Sequence, residues 1–268
     1  MLAFSGMARL PVSITIISLN EETNIARALK SVAWAEDILV VDSGSTDRTV
    51  EIARTHGARV LQNAWLGYGQ QKNFAQAQAK HDWVLNIDAD EVVSPALFEE
   101  IERSLAKVQS GRLQADAFCF PRKTYYLGKW IRHGGWYPNV LVRLANRNKC
   151  SWTEPHVHEE LLARGPVVSL QQALDHYAFT SIRDQILTNL RFARLGTEDL
   201  RRKGVRPSLI RLIFKPAGKF LETYFLKRGF LDGLPGFIIS INAAHSIFLK
   251  YAFLFEPEIE EAAKRSAK

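Results

Sequence analysis

Residues 83–91, Trp-Val-Leu-Asn-Ile-Asp-Ala-Asp-Glu, run an apolar stretch straight into three carboxylates, Asp88, Asp90 and Glu91. In an extended segment alternate side chains share a side, so Asp88 and Asp90 are expected to face one cation while Ala89 points away. Acids that offer only oxygen suit Mg²⁺ or Mn²⁺ better than zinc. Such an ion sheds water reluctantly and fills its shell with substrate phosphates, which points to a nucleoside diphosphate. An acidic loop that merely ends a strand has the same composition, so the surrounding elements must decide. A second cluster, His156-Val157-His158-Glu159-Glu160, reads either as a solvated strand end or as an acid–base site.

The elements that must position these residues alternate. Val12 to Leu19 is rich in β-branched residues and predicts a first strand, followed past Asn20-Glu21-Glu22 by a helix to about Val32. A second strand, Asp37 to Val41, ends at Asp42-Ser43-Gly44-Ser45-Thr46-Asp47, where Gly44 permits a tight turn and Ser45 or Thr46 can cap the next helix. Ala58 to Leu61 predicts a third strand, about 69–79 a helix, Trp83 to Ile87 a fourth strand, and Ser94-Pro95 the start of a helix to about Val108. Strands alternating with helices imply a parallel sheet covered on both faces, whose ligands bind beyond the strands' carboxyl ends. Asn20, Asp42 and Asp88 all fall there, so three polar clusters converge on one edge. Beyond residue 108 the alternation fails. Asp116 to Lys123, Val140 to Leu144 and Cys150 to Thr153 predict short strands that extend the sheet and supply an acceptor-facing wall.

Composition narrows the class. At 268 residues with 47% hydrophobic content the chain can build a sizeable core. Its two cysteines, Cys119 and Cys150, lack metal-ligand spacing, which argues against a zinc site and for a reducing compartment. No signal peptide is read at the N-terminus, so a cytoplasmic location is expected. The net charge of +7 favours an anionic partner. A nucleic-acid module is disfavoured, because no helix-turn-helix, zinc knuckle or aromatic RNA-reading motif accompanies the charge.

The ordered set Ser18-Leu19-Asn20-Glu21-Glu22, Val41 to Asp47, Lys72-Asn73 and Asp88-Ala89-Asp90-Glu91 resembles family 2 glycosyltransferases of the GT-A fold, over about residues 12–163. Extended by Gly135-Trp136-Tyr137-Pro138, Arg143-Leu144 and Val157-His158-Glu159, it is most similar to the lipopolysaccharide inner-core β-1,4-glucosyltransferases. The resemblance implies an α/β fold, a Rossmann-like nucleotide-sugar-binding mixed sheet flanked by helices, over 1–179, with a helical C-terminal region over 180–268. It implies that Asn20 and Glu21 line the nucleoside pocket, and that Asp42 accepts from a uracil imide. Leu19 stands where the family often has a stacking aromatic. Lys72 matches a basic position near the diphosphate, or is a solvated helix lysine. Asp88 contacts ribose or metal, Asp90 is the main ligand of Mg²⁺ or Mn²⁺, and His158 touches the metal or the leaving diphosphate. Glu159 matches the catalytic base, with Glu160 as its rival. Arg132, Trp136 and Arg143 are expected on the acceptor side, buried pairing being the alternative for Arg143. The implied reaction is inverting transfer from a UDP-sugar, UDP-glucose, to an inner-core heptose of lipopolysaccharide. The alternatives are another surface glycan or a polyprenyl-linked acceptor, and, outside enzymes, a nucleotide-sugar sensor.

Three C-terminal helices are predicted, about 181–203, 208–227 and 235–255, with Gly204, Gly229 and Pro235 as breakers. Leu209 to Arg228 interleaves aliphatic and aromatic residues with Arg211, Lys215, Lys219, Lys227 and Arg228. That mixture suits the anionic cytoplasmic face of the inner membrane, or packing on protein, including a second subunit. The run from Phe237 to Phe255 is interrupted by Asn242, His245, Ser246 and Lys250, which argues against a transmembrane span.

Overall fold

Strand β1 (Leu10–Ser18) alternates Val12, Ile14 and Ile16 with Ser13 and Thr15, and all five are buried. A strand covered on both faces offers its polar residues no solvent, so each needs a partner. Ser13 Oγ donates to Asp37 Oδ2 at 2.8 Å, and Thr15 Oγ1 accepts from Asn86 Nδ2 at 3.0 Å. Those partners belong to the two strands parallel to β1 on either side, β2 (Ala35–Asp42) and β4 (Trp83–Asp88), with β3 (Arg59–Gln62) outside β2. Helices α1 (Ile25–Ser31), α2 (Thr49–Thr55) and α3 (Tyr68–Ala77) make the crossovers, as the alternation predicts. These elements come from a computed structural model that describes residues 9–154, 159–257 and 259.

Register decides where the site falls. Ser18 of β1 pairs with Asp42, and Ile17 pairs with Asp88, so three parallel strands finish level and carry two carboxylates to one edge. After Asp88 the chain turns and returns as β5 (Glu91–Val93), too short for its alternation to show in the sequence. Ser94 then caps α4 (Pro95–Gln109), its Oγ accepting from Leu97 N at 3.2 Å, as expected from Ser-Pro. Strands β6 (Ala117–Tyr126) and β8 (Asn139–Asn146) are antiparallel, and β8 runs against β4. The sheet closes through β12 (Leu174–Phe179) onto β5, giving the order β3-β2-β1-β4-β8-β6-β12-β5; β7 (Lys129–Trp130) and β11 (Val167–Ser169) pair with β6. A separate hairpin joins β9 (Cys150–Trp152) to β10 (Leu161–Ala163). Cys119 and Cys150 are free thiols, and burial pushes the Cys150 thiol up to about 11, away from reactivity.

The chain divides into two compact units, 1–123 with 139–177, and 124–138 with 178–268. Segment 124–138, expected within the first domain, groups with the C-terminal helices because of its own core: Tyr126 and Ile131 are buried with Ile239 against Trp136 and Phe179. Inside that second unit Asp232 accepts from the backbone N–H groups of Arg132 and His133, and Tyr126 Oη donates to Gln185 Oε1 at 2.7 Å. Its helices are α5 (Ile182–Arg202), α6 (Leu209–Leu221) and α7 (Leu234–Ala252), all three near their predicted positions. No described helix is long and apolar enough to cross a membrane.

Candidate active site

At the level edge of the first unit an unbroken series of ion pairs runs through six side chains. Glu159 Oε1 lies 2.7 Å from Lys72 Nζ, Lys72 lies 3.3 Å from Asp88 Oδ1, and Asp88 Oδ2 lies 2.8 Å from Arg143 Nη2. Arg143 also meets Glu91 at 3.2 Å, and Glu91 meets Arg122 at 3.1 Å. The residues come from α3, β4, β5, β6, β8 and the loop before β10, so the series fastens the whole edge together. Lys72 and Arg143 are buried, which would be costly for either cation without acids on both sides. Trp152 lies against both, with Lys72 Nζ 4.7 Å from its ring centroid. Burial alone would raise the Asp88 carboxyl, but Arg143, Lys72 and Arg122 outweigh it and hold Asp88 far below the ordinary carboxylate range.

For Arg143 the two expectations were the acceptor side and buried pairing, and its guanidinium is enclosed and engaged by Asp88 and Glu91. Glu91, fully buried, also accepts from the backbone N–H of Asp88 at 2.9 Å and thereby fixes the turn that follows β4. Nothing in the neighbouring residues assigns this third acid of the cluster a role; its partners lie on β6 and β8.

The residues expected at the nucleoside, Asn20, Glu21 and Asp42, hold two loops together. Asn20 has φ of 57°, a left-handed conformation asparagine tolerates, and its Oδ1 accepts from Thr46 N at 2.8 Å while its own N–H donates to Ser45 Oγ. Glu21 N donates to Thr49 Oγ1 at 2.7 Å, tying the loop after β1 to the first residue of α2. Asp42, expected to accept from a uracil imide, is wholly buried; one oxygen accepts from Gly44 N and Ser45 N, and the other from the Ser18 and Ser45 hydroxyls. These bonds hold the Gly44 turn, whose φ of +98° favours glycine.

Asp88 and Asp90, expected to face one cation, have different partners. β4 ends at Asp88 and the chain turns through Ala89, so the period-two alternation stops there; Asp88 points to its cations, while Asp90 Oδ2 lies 3.2 Å from His176 Nε2. Among the described residues no three Asp, Glu, His or Cys side chains converge on one metal position, and His158 lies outside the described residues. Asp90 and His176 together present a carboxylate and an imidazole, donors compatible with Mn²⁺. Near them Glu21 has its carboxyl raised, first by burial and then, against an opposing bond from Asn24, by the charges of Asp90, Asp88 and Asp47. His176 was missed because β12 carries no helical or strong alternating signal; it stands on an element whose partner is the three-residue β5.

Glu159 and Glu160 separate cleanly. Glu159 turns to Lys72 with 15% of its side chain exposed, whereas Glu160 is exposed and its backbone pairs with Thr153. The loop is set by α3. Asn73 caps the open edge of β9 with both amide atoms, donating to Trp152 O at 3.0 Å and accepting from Trp152 N at 2.9 Å, and Gln76 donates to Cys150 O. Helix and loop approach so closely that a Cβ on Gly69 would lie 1.9 Å from Thr153 O. Arg132 and Trp136 belong to the second unit, where the Arg132 guanidinium stacks 4.1 Å over Trp130 and Trp136 joins the Tyr126 cluster.

Level parallel strands ending in carboxylates, extended by antiparallel strands that return an acidic loop to the same edge, define a GT-A transferase fold. The family model for glycosyl transferase family 2 matches residues 13–158, and the chain belongs to that family. Among similar proteins, an uncharacterized glycosyltransferase RT0209 of Rickettsia typhi is 35% identical over 91% of this chain and 87% of its own. The lipopolysaccharide core biosynthesis glycosyltransferase LpsC of Rhizobium meliloti is 29% identical over 95% of this chain and 98% of its own. Glucosyl-3-phosphoglycerate synthase of Mycobacterium tuberculosis, solved with Mn²⁺, UDP and glucosyl-3-phosphoglycerate, superposes with a TM-score of 0.45 at 17% identity, covering 76% of this chain and 83% of that one.

Proposed function

We propose that this family 2 transferase moves glucose from UDP-glucose to a heptose hydroxyl of the lipopolysaccharide inner core, with inversion, at the cytoplasmic face of the inner membrane. The observation that carries the reading is the location of Glu159: a carboxylate presented at the sheet edge, adjacent through Lys72 to Asp88 and its acidic turn, while Glu160 faces away. The near full-length similarity to LpsC supports the lipopolysaccharide acceptor.

In this reading the acceptor hydroxyl oxygen attacks the anomeric carbon from the face opposite UDP. The new C–O bond forms as the bond to the β-phosphate oxygen breaks, UDP leaves with that electron pair, and Glu159 takes the hydroxyl proton. One displacement inverts the centre. Lys72 orients Glu159. Asn20 and Glu21 border the nucleoside. Asp90 and His176 would hold Mn²⁺ or Mg²⁺, with diphosphate oxygens and water completing the shell; the ion, when bound, offsets charge on the leaving UDP. The deciding experiment offers purified core acceptors a panel of UDP-sugars and determines the product linkage by NMR. An α-linked product, or transfer from no UDP-sugar in the panel, would overturn the reading.

A further inference from the structure

Helix α6 has no buried residue at all. Ile210, Ile213, Phe214 and Leu221 recur at three- and four-residue spacing and stand 71, 61, 67 and 53% exposed. The apolar surface continues past the helix through Phe225, Leu226, Phe230, Leu231 and Leu234, all exposed. Beside this stripe, between α6 and α7, lies a groove of about 510 Å³. Its walls are Ile210 and Phe214 on one side and Ile247 and Tyr251 on the other, with Gly218 on its lining and Arg211, Lys215, Lys219 and Lys250 around it. The one acid there, Glu222, is bonded to Lys219 and Lys227. Among the described residues Arg211, Lys215 and Lys250 have no acidic partner, so the groove keeps a net positive charge.

We propose that this groove binds the phosphate of an anionic phospholipid, docking the second unit on a bilayer with the α6 stripe in the interfacial layer. The inference deepens the membrane-surface setting proposed above and rests on it. Charge complementarity selects the occupant. A second copy seated on this face would bring Arg211, Lys215 and Lys250 against their own equivalents, whereas a phosphodiester supplies the missing anion and its acyl chains cover the stripe. The absence of any described helix long and apolar enough to cross the membrane makes this a surface contact. Open space above Gly218, where nothing lies within 4 Å of the position a Cβ would take, leaves room for a headgroup.

The test is flotation of the full chain with vesicles of equal parts phosphatidylglycerol and phosphatidylcholine, scored without donor or acceptor, so that a failed transferase reading leaves the outcome unaffected. The chain is expected to float with these vesicles at low salt, not with phosphatidylcholine alone, and to be partly released at high salt. The triple variant Arg211→Gln, Lys215→Gln, Lys250→Gln should weaken partitioning by on the order of 10²-fold. Gly218→Leu keeps every charge but fills the groove, and should weaken it by roughly tenfold. Thermal midpoints check that both variants fold. Equal binding to neutral vesicles, or unchanged binding by either folded variant, overturns the proposal. So does a concentration-dependent dimer in sedimentation that Phe214→Ser abolishes, which would make a second copy the occupant.

Discussion

Two edge aspartates, buried Asp37 near the start of β2 and half-buried Asp88 at the end of β4, sit at opposite ends of the same parallel sheet and do different work. Asp37 is met by Arg59 with two bonds of 2.8 and 3.0 Å, by the Ser13 hydroxyl and by the Lys80 N–H. There the network closes: Arg59 gives a further bond to Gln78 O, and Ser13 accepts from the N–H groups of Lys80 and His81. Asp88 is met by Arg143 and Lys72, and neither cation ends the series, since each has a second acid in Glu91 and Glu159. A carboxylate that gathers backbone N–H groups fastens elements to each other. One that holds two long cations fixes the positions of further side chains, and the last of those, Glu159, is partly open to solvent.

The comparison is broken most severely at that last residue. Glu159→Gln should lower transfer by the folded protein by on the order of 10²–10⁴-fold and also lower the unfolding midpoint, because buried Lys72 then keeps only Asp88, and Glu160→Gln should retain both activity and midpoint. Rates of UDP release, alongside UDP-sugar affinity by calorimetry, measure both; a dead Glu160→Gln with an active Glu159→Gln would exchange their roles. Next in size, Asp90→Asn and His176→Ala should each cost on the order of 10²-fold and raise the Mn²⁺ concentration needed for half-maximal transfer. Manganese binding followed by electron paramagnetic resonance separates loss of the ion from loss of fold. Full activity of either variant at limiting metal would remove that residue from the cation site.

A sharper contrast comes from isosteric changes at the two aspartates. Asp37→Asn should reduce stability by about 2–3 kcal/mol, the scale of hydrogen bonds to a charged group, with transfer by the folded fraction little changed. Asp88→Asn should do the reverse: Arg143 retains Glu91 and Lys72 retains Glu159, so folding is disturbed less, yet the orientation of Lys72 and Glu159 degrades and transfer falls. Urea midpoints and initial rates on both variants give the four numbers needed.

The sequence exposed whatever depends on neighbours in the chain. Ser94 before Pro95 announces a cap, β-branched runs announce β1 and β4, and the three C-terminal helices fall near their predicted bounds. What it concealed depends on partners far along the chain. Arg143 stayed open between the acceptor side and buried pairing because nothing local reveals that Asp88 and Glu91 enclose it. The direction of the Asp42 carboxylate was hidden likewise, because it is fixed by the turn at Gly44 and by Ser18 on another strand. His176 reaches Asp90 only because β12 pairs with β5, and three residues are too few to signal a strand. Asn73 was legible as part of a motif, but its function as a cap on β9 is purely tertiary.

The smallest effect follows from the ionisation of Asp37. Burial works against its charge, yet the bonds from Arg59, Ser13 and the Lys80 N–H prevail and hold the carboxyl below its ordinary value. A carboxyl depressed in the folded state binds fewer protons there than in the unfolded chain. Its stabilising contribution is therefore fully present above the unfolded value near pH 4, and is lost as pH falls through the lower folded value. Asp37→Asn has no such proton to gain. The stability gap between the native chain and Asp37→Asn should stay constant from pH 7 to about pH 5 and narrow below about pH 4. Urea unfolding of both proteins at matched ionic strength across that range measures the gap directly. A gap that stayed constant through pH 4 and below would mean that Asp37 is held by its shape and hydrogen bonds without its charge, and one that widened on acidification would mean that burial prevails and raises the folded carboxyl, so that its charge works against the fold.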